Sequence, residues 1–147
     1  MMSLTIYLAG EIHSDWRDRL RDALGRLDVE ADFVGPQEEH ARSDDIGELI
    51  LGEQPGERYR DLMGASVNTL RTRVHMRTAD LAVACFTDKY RQWNTASDAG
   101  AALAQGIPLI LVRPAEFIHA LKELDAQADV TVETLEQAAQ AIAYIVE

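Results

Sequence analysis

Residues 79–113 read ADLAVACFTDKYRQWNTASDAGAALAQGIPLILVR, and their order decides the fold. LAVACF is short and apolar, the pattern of a strand buried on both faces. TDKYRQW is a polar loop. Asn94–Gln105 carries the small-residue run of a helix, and Gly106-Ile107-Pro108 stops it. LILVR is then another buried strand. Strand, helix and strand in this succession form a βαβ unit, whose two strands run parallel.

The same alternation extends in both directions. LTIYLAG (4–10) reads as a strand ending in Gly. Ser14 begins a helix with Trp16, Leu20, Ala23, Leu24 and Leu27 on one face and Arg17, Asp18, Arg21 and Asp22 on the other, with Ser14 or Asp15 as N-cap. ADFVG (31–35) is a short strand. PQEEHARSDDIG (36–47) shows no clear period and reads as a polar loop, with ELILG adding a helical turn. A helix is expected over 57–77, with Tyr59, Leu62, Met63, Leu70, Val74 and Met76 facing inward. Phe117–Leu124 suggests a short helix and Asp129–Val132 a short strand. Thr134 caps a last helix through Val146, with Leu135, Ala138, Ile142 and Ile145 on one stripe. Strands alternating with helices predict a flavodoxin-like, doubly wound α/β sheet of about five parallel strands with helices on both faces.

Composition narrows the function classes. The 147 residues suit one domain spanning 1–147, and no repeat, low-complexity segment or Pro/Gly-rich linker interrupts them. The formal net charge of −11 disfavours a nucleic-acid polymer or an anionic membrane as partner, because both need basic surface. No apolar run reaches transmembrane length, and the first residues lack a signal-peptide pattern, so the cytoplasm is the expected compartment. Cys85 is the single cysteine, within LAVACF, and reads as a buried strand thiol.

In doubly wound sheets, ligands bind beyond the carboxyl ends of the strands at a switch in strand order. That rule selects Gly10–Asp15, the loop Gly35–Asp45, Thr87–Asn94 and Arg113–Glu116. Asp98, at the helix after the second of these strands, admits two readings. Thr95-x-x-Asp98 has capping-box spacing, which makes Asp98 a helix cap. A carboxylate kept ionised at the mouth of a sheet cleft can also attack an electrophilic carbon. Arg113 is placed either to meet an anion or to pair with Asp80 or Asp98.

The segments YLAGEIHSDWR, FVGPQEEHARSDDIGELILGEQP, KYRQWNTASDAG and VRPAEFIHALKEL resemble the YtoQ branch of the nucleoside 2-deoxyribosyltransferase superfamily. The resemblance covers nearly the whole chain. It implies cleavage or transfer at the N-glycosidic bond of a nucleoside or nucleotide, with Asp98 in the nucleophile's place and Tyr7 as the tyrosine that holds it. The logic is that of a retaining glycosidase, through a covalent glycosyl-enzyme. No cofactor is implied, and no metal. A neighbouring subunit commonly completes such sites, so a homo-oligomer is expected.

Other residues join as candidates. Glu11 would protonate the leaving base, with Asp88 a substitute for the family acid that Gln92 replaces. Gly10, His40, Arg42, Asp44 and Asn94 would shape the substrate pocket. Trp93, beside Tyr90, would stack on a base or cover the helix start. The chain departs from the family pattern at Asp98, where glutamate is usual, at Gln92, and at Glu11, which replaces proline. The other reading of the same residues is a non-catalytic module that binds a nucleotide-like metabolite, with Asp98 as cap.

Overall fold

The computed structural model describes residues 2–89 and 91–147. Five parallel strands form one sheet in the order β2-β1-β3-β4-β5: β1 (Leu4–Gly10), β2 (Ala31–Val34), β3 (Leu81–Cys85), β4 (Leu109–Val112) and β5 (Val130–Val132). The helices are α1 (Trp16–Arg26), α2 (His40–Leu51), α3 (Glu57–Arg77), α4 (Trp93–Ala104), α5 (Lys122–Gln127) and α6 (Leu135–Ile145). The strand order reverses between β1 and β3, so the switch point opens after Gly10 and Cys85.

Alternate residues of each central strand feed two cores. Ile6, Leu8, Val83 and Ile110 meet Trp16, Leu20 and Leu24 of α1 and Ala138 and Ile142 of α6. Tyr7, Ala9, Ala82, Ala84, Leu109 and Leu111 meet Ala99 and Ala102 of α4. Covered faces on both sides explain why β3 and β4 read as unbroken apolar runs. Cys85 is buried, and burial pushes its thiol up to about 12, so it stays inert.

Several expectations need correction. The segment 36–47 is not a loop, because α2 begins at His40. Its polar residues face α3 rather than a sheet: Asn68 Nδ2 donates to Ser43 O at 3.0 Å, and Arg60 Nε meets Glu48 Oε1 at 2.8 Å. A Cβ on Gly47 would come within 2.5 Å of Gly64 N, so glycine lets α2 and α3 cross closely. A helix held by polar bonds and a glycine contact shows no apolar period.

The second correction concerns α3, whose bounds fit the expectation while its inward face does not. Met76 is buried, but Tyr59, Leu62, Leu70 and Val74 are exposed. The third lies after β4. A 3-10 turn covers Ala115–Phe117 and the helix itself starts only at Lys122. Ile145 of α6 is also exposed, while Leu135, Ala138 and Ile142 are buried as expected.

Candidate active site

Tyr7 lies on β1 with its side chain toward α3 and α4, and it is fully buried. Its hydroxyl is 3.1 Å from Asp98 Oδ2 and 3.4 Å from Thr72 Oγ1. A phenol has one proton, so it donates to the carboxylate and can accept from Thr72. Burial, then the neighbouring Asp98 charge, hold the Tyr7 pKa well above its ordinary value. The phenol therefore remains a donor at any working pH.

Asp98 is half-buried. Burial raises its pKa to about 6, against the Tyr7 hydrogen bond and the charge of Arg17, which favour the ionised form. At neutral pH the group is mostly an ionised carboxylate of raised basicity. The cap reading fails on geometry. Helix α4 starts at Trp93 with Gln92 as N-cap and no side-chain cap bond, so Thr95 and Asp98 lie inside the helix. Asp98 turns to Tyr7 instead.

Gln92 explains the earlier start. Its Oε1 accepts from the Thr87 amide at 2.9 Å, and its Nε2 donates to Thr87 O at 2.8 Å and Lys89 O at 2.7 Å. These bonds close the β3–α4 loop, in which Arg91 takes a left-handed φ of 62°.

A cleft of about 1040 Å³ opens over Asp98. Gly10, Glu11 and His13 line it after β1, and Pro36 and Gln37 after β2. His40, Ser43 and Asp44 come from α2, Asn68, Thr69, Thr72 and Arg73 from α3, and Asn94 and Ser97 join Asp98 from α4. The volume suits a nucleoside-sized ligand. His40 Nε2 is 3.2 Å from Asp44 Oδ2, and its ring centroid is 5.8 Å from that of His13, which ties α2 to the loop after β1.

Glu11 reaches the cleft, yet its carboxylate is already occupied. It accepts from the His13 amide at 2.6 Å, the Ser14 amide at 3.0 Å and the Thr87 hydroxyl at 3.2 Å, and also from the Ser14 hydroxyl. Burial raises its pKa, but these donors outweigh burial and hold it below the ordinary value. As built, Glu11 is an ionised acceptor rather than a proton donor. Gly10 has a packing role besides its place in the cleft, because a Cβ there would meet the Trp16 ring at 2.3 Å.

Several expected binding residues are not brought together. Arg42 points from the exposed side of α2, Asp88 is exposed in the β3–α4 loop, and Trp93 is 72% exposed at the start of α4; none of the three lines the cleft. Their loops lie near the cleft, but helix phase and loop closure turn these side chains away. Tyr90 lies outside the described residues. Arg113 forms ion pairs, though with Asp125 at 2.8 Å and Glu133 at 3.7 Å rather than with Asp80 or Asp98. Asp80 instead accepts from the Thr5 amide at 2.9 Å. Among the described residues, no group of three or more His, Cys, Asp or Glu is placed to share a metal ion, and no helix is long and apolar enough to cross a membrane.

Sequence reasoning missed Thr72 as the second partner of Tyr7. The signal was present: Asp61, Ala65, Asn68 and Thr72 recur at helical spacing on the α3 face that lines the cleft.

The all-parallel sheet, the switch-point cleft and the Tyr7–Asp98 pair define an α/β protein with the fold of nucleoside 2-deoxyribosyltransferases. The chain is similar to the 2-deoxyribosyltransferase of Bacillus psychrosaccharolyticus, with a TM-score of 0.58, 19% identity and 95% of each chain covered. It is similar also to a conserved protein of Enterococcus faecalis V583, with a TM-score of 0.63, 21% identity and 98% of this chain and 99% of that one covered. At these identities the likeness shows the fold. More particularly, the family profile described as nucleoside 2-deoxyribosyltransferase YtoQ matches residues 7–146, and the chain belongs to that family. It is 48% identical over 146 residues to the YtoQ protein of Bacillus subtilis (strain 168), covering 99% of both.

Proposed function

We propose that this protein cleaves or transfers at the N-glycosidic bond of a nucleoside or nucleotide, with the Asp98 carboxylate as nucleophile. The observation that carries the reading is the 3.1 Å bond between Tyr7 and Asp98 at the floor of an open cleft. Asp98 would attack the anomeric carbon while the bond to the base breaks, giving a glycosyl-enzyme and the departing base, which takes its proton from water in the open cleft. Water or an acceptor base would then take the sugar and release the carboxylate. The Tyr7 phenol holds one carboxylate oxygen, leaving the other for attack. Glu11 acts in this scheme by bracing the turn after β1 against Thr87 beside the cleft. His40, Asp44 and Asn94 shape the pocket, and no cofactor enters.

The family membership and the fold of a 2-deoxyribosyltransferase support this chemistry. The alternative, a metabolite-binding module, draws on one observation: the acid that could protonate a leaving base is occupied by four donors. A chromatographic assay decides between the two readings. Nucleosides and nucleoside 5′-monophosphates are incubated with and without an acceptor base, beside Asp98→Ala. Base released by the wild type alone supports the enzyme. No turnover, with thermal stabilisation by the same ligands, supports the binding module.

We further infer a homo-oligomer. Tyr59, Leu62, Leu70 and Val74 share the α3 face opposite the cleft, and all are exposed. Such a stripe along about four turns of helix is the kind of surface a second copy covers. Light scattering after size exclusion should give at least a dimer, and a monomer at micromolar concentration would contradict this assembly.

A further inference from the structure

A second cavity, of about 160 Å³, lies beyond the C-terminal end of the edge strand β2, between α1 and α3. It is well below the roughly 300–1,000 Å³ of pockets for drug-sized ligands, so its scale suits one small group. Arg17 and Arg21 of α1 and Arg71 and His75 of α3 line it, and Glu38 is the only carboxylate among its lining residues. In a chain of net charge −11, this is a local reversal of sign.

Arg17 makes the reversal consequential. It is 4% exposed, and its Nη atoms donate to the carbonyls of Glu11 at 2.7 Å, Leu8 at 3.1 Å and Gly10 at 2.9 Å. Its Nε is buried with no hydrogen-bond partner. Carbonyl dipoles satisfy donors without neutralising the charge, and the carboxylates that act on Arg17, chiefly Glu38, do so from beyond ion-pair distance, so the buried guanidinium is only partly compensated. Among the described residues no carboxylate stands within ion-pair distance of Arg17 or Arg71.

The other cations are held in place. The Arg21 guanidinium lies 5.2 Å from the Phe33 ring centroid and bonds Asp18 at 3.2 Å. Arg71 Nη1 is 2.8 Å from His75 Nε2. An arginine can only donate, so His75 accepts with an unprotonated nitrogen and adds no negative charge.

We propose that this cavity binds a small dianion of the phosphate class, either inorganic phosphate or the phosphate end of a phosphomonoester. Three arginines share the lining of one small cavity, and the guanidinium fork matches the oxygens of such a group. Asp98 is not among the cavity's lining residues, and the proposal stands whether or not the transferase reading does. Glu38 takes the role of a competing internal carboxylate beside it.

The test is isothermal titration of the full chain with inorganic phosphate and with glycerol phosphate, at constant ionic strength set with chloride. The expected result is saturable binding, weakened about tenfold or more by Arg71→Ala and tightened by Glu38→Gln. Arg71 is chosen because Arg17 also holds the turn after β1, and its loss would disturb the fold. Glycerol phosphate binding as tightly as phosphate assigns the site to phosphomonoesters; binding of inorganic phosphate alone assigns it to the free ion. Absence of saturable binding in both wild type and Glu38→Gln overturns the proposal. So does an affinity kept in Arg71→Ala but lost in Arg73→Ala, since Arg73 lines the cleft over Asp98 instead.

Discussion

Helices α4 and α6 both carry a threonine three residues before a side chain able to close a capping box. In α6 the box is real. Thr134 Oγ1 accepts from the Gln137 amide at 3.1 Å, and Gln137 Oε1 accepts from the Thr134 amide at 3.2 Å. In α4 the same spacing, Thr95 and Asp98, falls inside the helix, because Gln92 closes the preceding loop and starts the helix early. Where the threonine is the N-cap, both polar groups serve the helix end. Displaced inward, the acid is released from that work and turns across the cleft to Tyr7. One spacing thus gives a structural element in one helix and a candidate nucleophile in the other.

The largest effect should separate the two pairs by activity. Asp98→Ala is expected to lower base release by about a thousandfold or more, the scale of removing a nucleophile. Thr134→Ala should leave turnover unchanged. Steady-state assays of both variants check this, and comparable losses would erase the distinction.

Stability gives the next effect. The folded-state pKa of Asp98 is raised to about 6, against about 3.9 in an unfolded chain. Between these values the folded state binds more protons, so this group's contribution to stability falls as pH rises from about 4 to 6. Asp98→Asn removes that loss. The variant should be more stable than wild type at pH 7 by up to about 3 kcal/mol, with the gap closing below pH 4. Urea denaturation of both proteins across this range reads it.

Tyr7→Phe comes third. The Tyr7 hydrogen bond favours the ionised Asp98, so its loss should raise that pKa further and move the acid limb of the rate profile to higher pH. Turnover near neutral pH should drop about tenfold, on the scale of a hydrogen bond to a charged group. An unshifted profile would mean that Tyr7 only packs. The smallest effect belongs to the genuine cap, where Thr134→Ala should cost about 1 kcal/mol of stability, measured by the same denaturation.

The fold was legible because its central elements bury both faces. LTIYLAG, LAVACF and LILVR could hardly be anything but interior strands, and the stripe from Trp16 to Leu24 could only face the sheet. The helical hairpin α2–α3 was less legible because it obeys different physics. It is joined by Gly47 against Gly64 and by Asn68 and Arg60 bonds, while its large apolar residues face outward. An exposed stripe and a buried stripe have the same period, so Leu62, Leu70 and Val74 read as core. Within the site, Asp98 and Tyr7 were named together through family resemblance, and the structure places their side chains 3.1 Å apart. Arg42, Asp88 and Trp93 were chosen for their chemistry and for segments expected beside the cleft, which does not tell which way a side chain points.

The central claim is that Asp98 carries the sugar. The most direct measurement is mass spectrometry of the protein quenched during turnover of a nucleoside that the assay shows to be cleaved, followed by peptide mapping. The account predicts a mass gain of one pentosyl group, located on Asp98 and absent from Asp98→Ala. Turnover with the adduct on another residue, or undiminished turnover in Asp98→Ala, would contradict it.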